Sequence, residues 1–469
     1  MDFSNVVFLF YFLPLFLVAH FVTPKNSKTS LGVAAGLWFF VWSAGWFVFI
    51  IIGLILLDYW LIDGLNKKDG EKRKFYLISS LILNLSLLVY YKYASAISNS
   101  QLDINMTSGG WESLIVPLGI GFFTLQKIGY AIDVYRNEGK HFNNIVDYAF
   151  YILFFPKLIS GPFVQLKSFG TQIEKLGENE NLDSFITGCV RFSKGLAKKV
   201  LIANSLAPFV TEIFQNLGSV SSGQLWLALL AFAFQIFFDF SGYVDMAIGI
   251  SQMIGLRLPE NFHSPYTSTS VSSFWKNWHT TFYLWLKNYL YLPLCGSKEN
   301  SSIRLLMNIL IVIILAGMWH GITAPFLIFA LYHAFFMLIE KLGAVKILEK
   351  IGKTPSMIYT FCVILIGWAI FKSSSVKDLI LLSQNLFGMS NNTYQFAITT
   401  KEITILIVAI FLSFRRIIPK IDVIKITITE KIGHSKFQLT RNVSAILLLI
   451  VSVSYLATEE FIPFIYSKF

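Results

Sequence analysis

Between Leu31 and Asp63 the chain stays apolar for 33 residues, a run that limits the available folds more than any other feature. As a single helix it would measure roughly 50 Å, against a hydrocarbon core of roughly 30 Å. A break near Ser43-Ala44-Gly45 turns it into two short helices. Lys25 and Lys28 precede the run and Lys67, Lys68, Lys72, Arg73 and Lys74 follow it. Basic loops stay inside, so both flanks are expected in the cytoplasm and the N-terminus outside. Composition agrees: of 469 residues 55% are apolar and 14% charged, and mean hydropathy is +0.62. A soluble domain carries about 25% charged residues, and a chain this long cannot hide so much apolar surface in one or two aqueous cores. A disordered scaffold and a disulfide-built secreted module are excluded as well.

The fold class expected is therefore an all-α polytopic membrane protein, one domain over residues 1–469. Asn5 to Val22 reads as a retained first span, because it lacks a basic n-region and a clear cleavage site. Further spans are expected at 75–95, 114–135, 145–160, 224–256, 305–319, 322–340, 357–372, 402–414 and 443–466. Two segments have broken character: Phe154 to Pro162, with two prolines and Lys157, and 114–135, with Pro117, Gly119, Gly121, Lys127 and Asp133. Irregular backbone at membrane depth must be buried in protein or line a wet cavity. Residues 182–216 interleave Arg191, Lys194, Lys198 and Lys199 with apolar residues, which suits an interfacial helix anchored on anionic membrane lipid.

Lys plus Arg outnumber Asp plus Glu 38 to 27, for a net charge of +11. In a membrane chain this excess belongs to cytoplasmic loops, and no basic stripe or zinc-finger spacing points to nucleic acid. Cys189, Cys295 and Cys362 stand singly, suggesting neither a disulfide framework nor a metal cage. The histidine spacing matches no metal-ligand pattern, and no phosphate-binding glycine loop or nucleophile elbow is present.

The informative charges are the few inside apolar stretches, where each is costly. Phe237 to Asp245 contains Asp239, Ser241, Tyr243 and Asp245; Ser241 and Asp245 share one helix face, Asp239 and Tyr243 another. They either fix helix packing through hydrogen bonds or line a reaction chamber. Thr267 to Leu294 reads as one amphipathic interfacial helix, with Lys276, Thr280, Tyr283 and Lys287 on one stripe and Trp275, Trp278, Phe282 and Trp285 on the other. His279 falls on its apolar side and is expected to point inward, as a core histidine or a functional one. Gly317-Met318-Trp319-His320-Gly321 follows the apolar run Leu305 to Ala316, which carries His320 into the membrane beside two glycines that leave room for a chain or a substrate. An imidazole there can take a proton from a hydroxyl, as acyl transfer to an alcohol requires. The bland alternative is a helix-terminal histidine satisfied by a carbonyl. His333 is a weaker candidate, and His20, His141, His263 and His434 weaker still.

In their order these segments resemble the membrane-bound O-acyltransferase family, in its bacterial alginate O-acetylation branch. The matching stretches are Pro117 to Thr124 with Tyr130 to Arg136, Phe154 to Pro162, Phe237 to Gly249, Pro259 to Phe262, Pro265-Tyr266, Phe274 to Pro293, Trp319 to Gly321 and Leu331 to His333, a core at about 115–340. The resemblance implies roughly eleven transmembrane helices with re-entrant and interfacial ones around a central chamber. It makes His320 the intramembrane catalytic histidine and His279 the second functional one. Lys276 and Asn277 stand where the branch commonly has two arginines, and Lys lacks the bidentate fork of Arg. Trp278 and Trp319 flank the histidines, with Lys276, Asn277, Asp239, Ser241, Tyr243 and Asp245 as chamber or substrate residues.

The implied activity is O-acetyl transfer from a cytoplasmic thioester, acetyl-CoA, across the bacterial cytoplasmic membrane to a cell-envelope polysaccharide. Alginate-like, cellulose, other exopolysaccharide and peptidoglycan acceptors are all compatible, reached through a periplasmic partner of the SGNH-hydrolase type. D-alanyl transfer to teichoic acid from a carrier-protein thioester is the competitor within the family. Outside it stands a transporter or flippase, which predicts inverted repeats that the sequence does not display.

Overall fold

The computed structural model describes residues 2–99, 119–296, 302–389, 396, 398–417, 433–458 and 462–465. The start of the 114–135 stretch, Pro117 included, and residues 459–461 and 466 of the 443–466 span lie outside the described residues. The chain divides into two compact units: Met1–Phe192 with Tyr243–Pro259, and Ser193–Gly242 with Glu260–Ile465.

In the first unit α1 (Leu13–Val22) is followed by α2 (Lys28–Ala44) and α3 (Phe47–Lys67). The 33-residue run does break at Gly45, whose φ of 55° is a conformation that only glycine adopts cheaply. Next come α4 (Gly70–Asn99), α5 (Ile120–Arg136) and α6 (Ile145–Leu153), the last capped by the Asn144 side chain, which accepts from Asp147 N. Glycines let α2 and α6 touch, since a Cβ on Gly36 would sit 2.1 Å from the Leu153 carbonyl oxygen and one on Gly32 would strike the Phe150 ring. Small residues at such crossings replace a hydrophobic driving force that lipid cannot supply. Asp58 on α3 is fully buried and accepts from Ser80 and Asn84 on α4 and from Tyr148 on α6. Lys127 of α5 stands 3.6 Å away, so one carboxylate ties four helices. Asp58, unlike Asp239, was not singled out from the sequence.

The expected span at 145–160 is not one helix. It ends at Leu153, a single turn covers Phe155–Leu158, and non-helical chain follows up to Gln165. Burial resolves the cost of this break. Gln126 donates to the Val164 carbonyl and accepts from Val164 N, replacing helical bonds. Lys157 lies 4.9 Å over the Tyr151 ring. The broken stretch lines a small cavity with Phe122, Gln126 and Phe163, as irregular backbone at this depth requires.

Helix α7 (Leu182–Ala197) passes from the first unit into the second, continuing through a π-helical turn, Lys198–Asn204. Helix α8 (Ser222–Met253) begins in the second unit and ends in the first. The two approach at glycines: a Cβ on Gly249 would lie 2.7 Å from Gly188 O within the first unit, and one on Gly242 2.7 Å from Gly195 O within the second. Segment 182–216 is thus no freely exposed interfacial helix, because Lys199 is buried and Arg191 pairs with Asp245.

The rest of the second unit contains α9 (Val271–Asn277), α10 (Thr280–Leu286), α11 (Ser302–His320), α12 (Ala324–Ile339), α13 (Lys353–Lys372), α14 (Thr400–Phe414) and α15 (His434–Thr458). Among the described residues seven helices are long and apolar enough to cross a membrane. α2 and α5, at 17 residues each, and α14, at 15, fall short of the ~20 that a bilayer core needs.

Candidate active site

The expected single helix over 267–294 is two. Between α9 and α10 the chain breaks at Trp278-His279, where His279 adopts φ 47°. The stripe of Lys276, Thr280, Tyr283 and Lys287 therefore does not lie along one helix; Lys276 and Lys287 are exposed at separate places. The 260–263 segment compensates the broken backbone. Thr280 N donates to Asn261 O and His263 N to Asn277 O, with Phe262 and Trp278 bridging antiparallel. Glu340, buried beyond the end of α12, accepts from Val271 N and Ser272 N and so closes the start of α9. A left-handed non-glycine residue is strained, and such strain persists only where its surroundings over-determine it.

The break turns His279 inward. It is 4% exposed, and its Nδ1 is 3.3 Å from Asn261 Oδ1. Asn261 Oδ1 also accepts from Thr281 N and Thr281 Oγ1. Phe240 meets the imidazole edge-on at 4.8 Å, and Phe282 lies 5.2 Å away. Burial pushes the imidazole down to about 3, so it is neutral at physiological pH.

His320 is the last residue of α11, partly exposed. Its flanking glycines serve helix packing. A Cβ on Gly317 would lie 2.6 Å from Ala330 Cβ, and one on Gly321 would run into the Phe326 ring. Of the two occupants expected beside these glycines, a chain or a substrate, it is the chain of α12 that packs there. Phe371 stands perpendicular to the imidazole at 5.4 Å, with Phe326 at 6.2 Å. Trp319 touches His320 at 4.9 Å and Phe282 at 4.6 Å. His279, Phe282, Trp319 and His320 thus form one aromatic series, which links the two histidines within the second unit.

Of the other residues expected at the site, Trp278 is buried among Phe262, Phe274 and Trp368. Asn277 donates to Ser268 Oγ. Ser241 is buried, and its hydroxyl has no hydrogen-bond partner among the described residues. Asp239 forms a buried ion pair with Lys199 at 2.7 Å. Tyr243 and Asp245 belong to the first unit, where Tyr243 stacks on Phe3 at 4.6 Å and Asp245 accepts from Arg191. His333, set aside as weaker, is buried against Trp275 at 4.9 Å. Neither its Nδ1 nor Trp275 Nε1 has a hydrogen-bond partner among the described residues. Asn261, Phe240, Phe282 and Phe371 were not assigned to the site from sequence. Only Asn261 carried a signal, as a polar residue between Pro259 and Phe262.

A family model described as membrane-bound O-acyltransferase matches residues 135–346, which include both histidines. The protein named "Probable alginate O-acetylase AlgI" in Azotobacter vinelandii is 34% identical over 386 residues, covering 80% of this chain and 76% of its own length. The chain belongs to the membrane-bound O-acyltransferase family. Also similar to it are the peptidoglycan O-acetyltransferase of Helicobacter pylori, 30% identical over 83% of this chain and 80% of its own, and the teichoic acid D-alanyltransferase of Bacillus subtilis, 27% identical over 48% of this chain and 59% of its own. As a member of the family the chain is a multi-pass membrane O-acyltransferase. Its relatives are bacterial, which puts it in the bacterial cytoplasmic membrane.

Proposed function

We propose that the protein takes an acetyl group from a cytoplasmic thioester, acetyl-CoA, and passes it through the membrane for O-acetylation of a cell-envelope polysaccharide. The observation that carries this reading is the aromatic series joining buried His279 to His320 at the end of an apolar helix. His320 removes the proton of the accepting hydroxyl as its oxygen attacks the thioester carbonyl, and the departing thiolate takes up a proton. Relay of the acyl group on the imidazole itself is the variant of this step. Neutral His279, its Nδ1 proton directed at Asn261 Oδ1, presents Nε2 as an acceptor that orients the donor or the accepting hydroxyl. Exposed Lys276, next to Asn277, offers a point charge to a polyanionic coenzyme.

Acetyl rather than D-alanyl transfer is supported by the relatives: those named for O-acetylation match four-fifths of the chain at 30–34% identity, the D-alanyltransferases 48% and 62% of it at 27% and 23%. The acceptor is alginate-like or peptidoglycan, by the same relatives. A periplasmic partner of the SGNH-hydrolase type completes transfer onto sugar.

His320→Ala and His279→Ala proteins that insert normally are expected to lose at least about 100-fold of envelope O-acetylation, measured as base-labile acetate on the polysaccharide. Full acetylation by either would overturn the reading. Incubating purified protein with labelled acetyl-CoA, against a D-alanylated carrier protein, distinguishes the donors.

A further inference from the structure

Asp239 lies midway along α8 and is 1% exposed, as is its partner Lys199, 2.7 Å away. A buried ion pair contributes little net stability, because desolvation offsets the attraction. Both ions, however, hold the same short piece of chain. Lys199 Nζ donates to the Ile462 carbonyl at 3.1 Å, and Ile465 N donates to Asp239 Oδ2 at 2.7 Å. Between the two held points Phe464 is 2% exposed, its ring 5.9 Å from Phe240. Phe240 in turn meets His279 edge-on at 4.8 Å.

We infer that Ile462–Ile465 is a positioning element of the active site, latched by the Lys199–Asp239 pair and acting on His279 through Phe464 and Phe240. His279 sits in a left-handed backbone conformation that surrounding contacts must enforce. Asn261 and Phe282 hold it from one side, and Phe240 reaches it from α8. The latch fixes that contact from behind. Phe464 is thus a positioning residue that acts through Phe240, and Asp239 acts through the 462–465 segment. The inference rests on the proposed role of His279.

The test is CoA release from acetyl-CoA by the full-length detergent-purified protein. Phe464→Ala is expected to lower kcat about 10-fold with donor KM changed by less than about two-fold, the signature of a displaced group rather than a lost binding contact. Phe464→Tyr, which keeps the ring, is expected to recover most of the rate. In a His279→Gln protein, measured at its residual rate, Phe464→Ala should cost nothing further. Should Phe464→Ala fail to accumulate as folded protein, Asp239→Asn carries the same test, since the amide oxygen can still accept from Ile465 N while the charge that holds Lys199 is gone. Wild-type kcat in Phe464→Ala, or losses that multiply in the double variant, would overturn the inference and leave the role of His279 standing. Full activity in His279→Gln alone would overturn the functional reading, and the inference with it.

Discussion

Asn261 is the residue on which the site's local geometry turns. It is completely buried, and its side-chain oxygen receives the Thr281 amide and hydroxyl while standing beside His279 Nδ1. A buried donor left without its acceptor costs about 1–3 kcal/mol. Asn261→Ala is therefore expected to lose about that much stability, read as a lowered Tm in detergent, and to slow acyl transfer because the ring then loses its partner at Nδ1. The sequence marked His279 correctly as inward-facing, since its neighbours at helical spacing are apolar. It did so through a helix that does not exist. The true cause is the break at Trp278-His279 and the backbone pairing with 260–263, which no periodicity reveals because it joins segments about 18 residues apart in the chain. Lys199 was misread for a related reason: a lysine among apolar residues looks the same whether it reaches for lipid headgroups or for Asp239.

Among the elements, α2 and α6 illustrate how closely these helices approach. Gly36→Ala would drive a Cβ to 2.1 Å from the Leu153 carbonyl oxygen, backbone that cannot swing aside. The expected cost is about 1–3 kcal/mol, as for overpacking in a core. Gly53→Ala on α3 has open space around it and should be neutral or stabilising by up to about 1 kcal/mol. Thermal unfolding of the two variants in the same detergent compares them directly. The break in the long apolar run at Gly45 was legible, because helix length against bilayer thickness demanded one there. The break after Leu153 was half legible. Pro156 and Pro162 signalled broken backbone, yet the apolar run concealed that helix stops before either proline.

For the whole molecule, the distribution of lysines orients the chain in the membrane. With the loop carrying Lys67 to Lys74 in the cytoplasm, Lys68→Cys in a background without the three native cysteines should react with a membrane-impermeant thiol reagent only after the cells are permeabilised. Lys68 is exposed and suits such labelling. Labelling of intact cells would invert the topology. Length, hydropathy and charge determined the class of fold, most of the helical segments and the two histidines worth watching, because each follows from what lipid permits a short stretch of chain to carry. The partners of buried polar groups were decided by tertiary structure alone. Asp58 and Asp239 look alike in sequence, each a lone carboxylate in an apolar run. One ties four helices together, with Tyr148 as a partner 90 residues on, and the other latches Ile465, 226 residues away. A helix that is apolar on every side has no stripe to say which face meets which neighbour, so only the packed chain determines where a buried charge finds its counterpart.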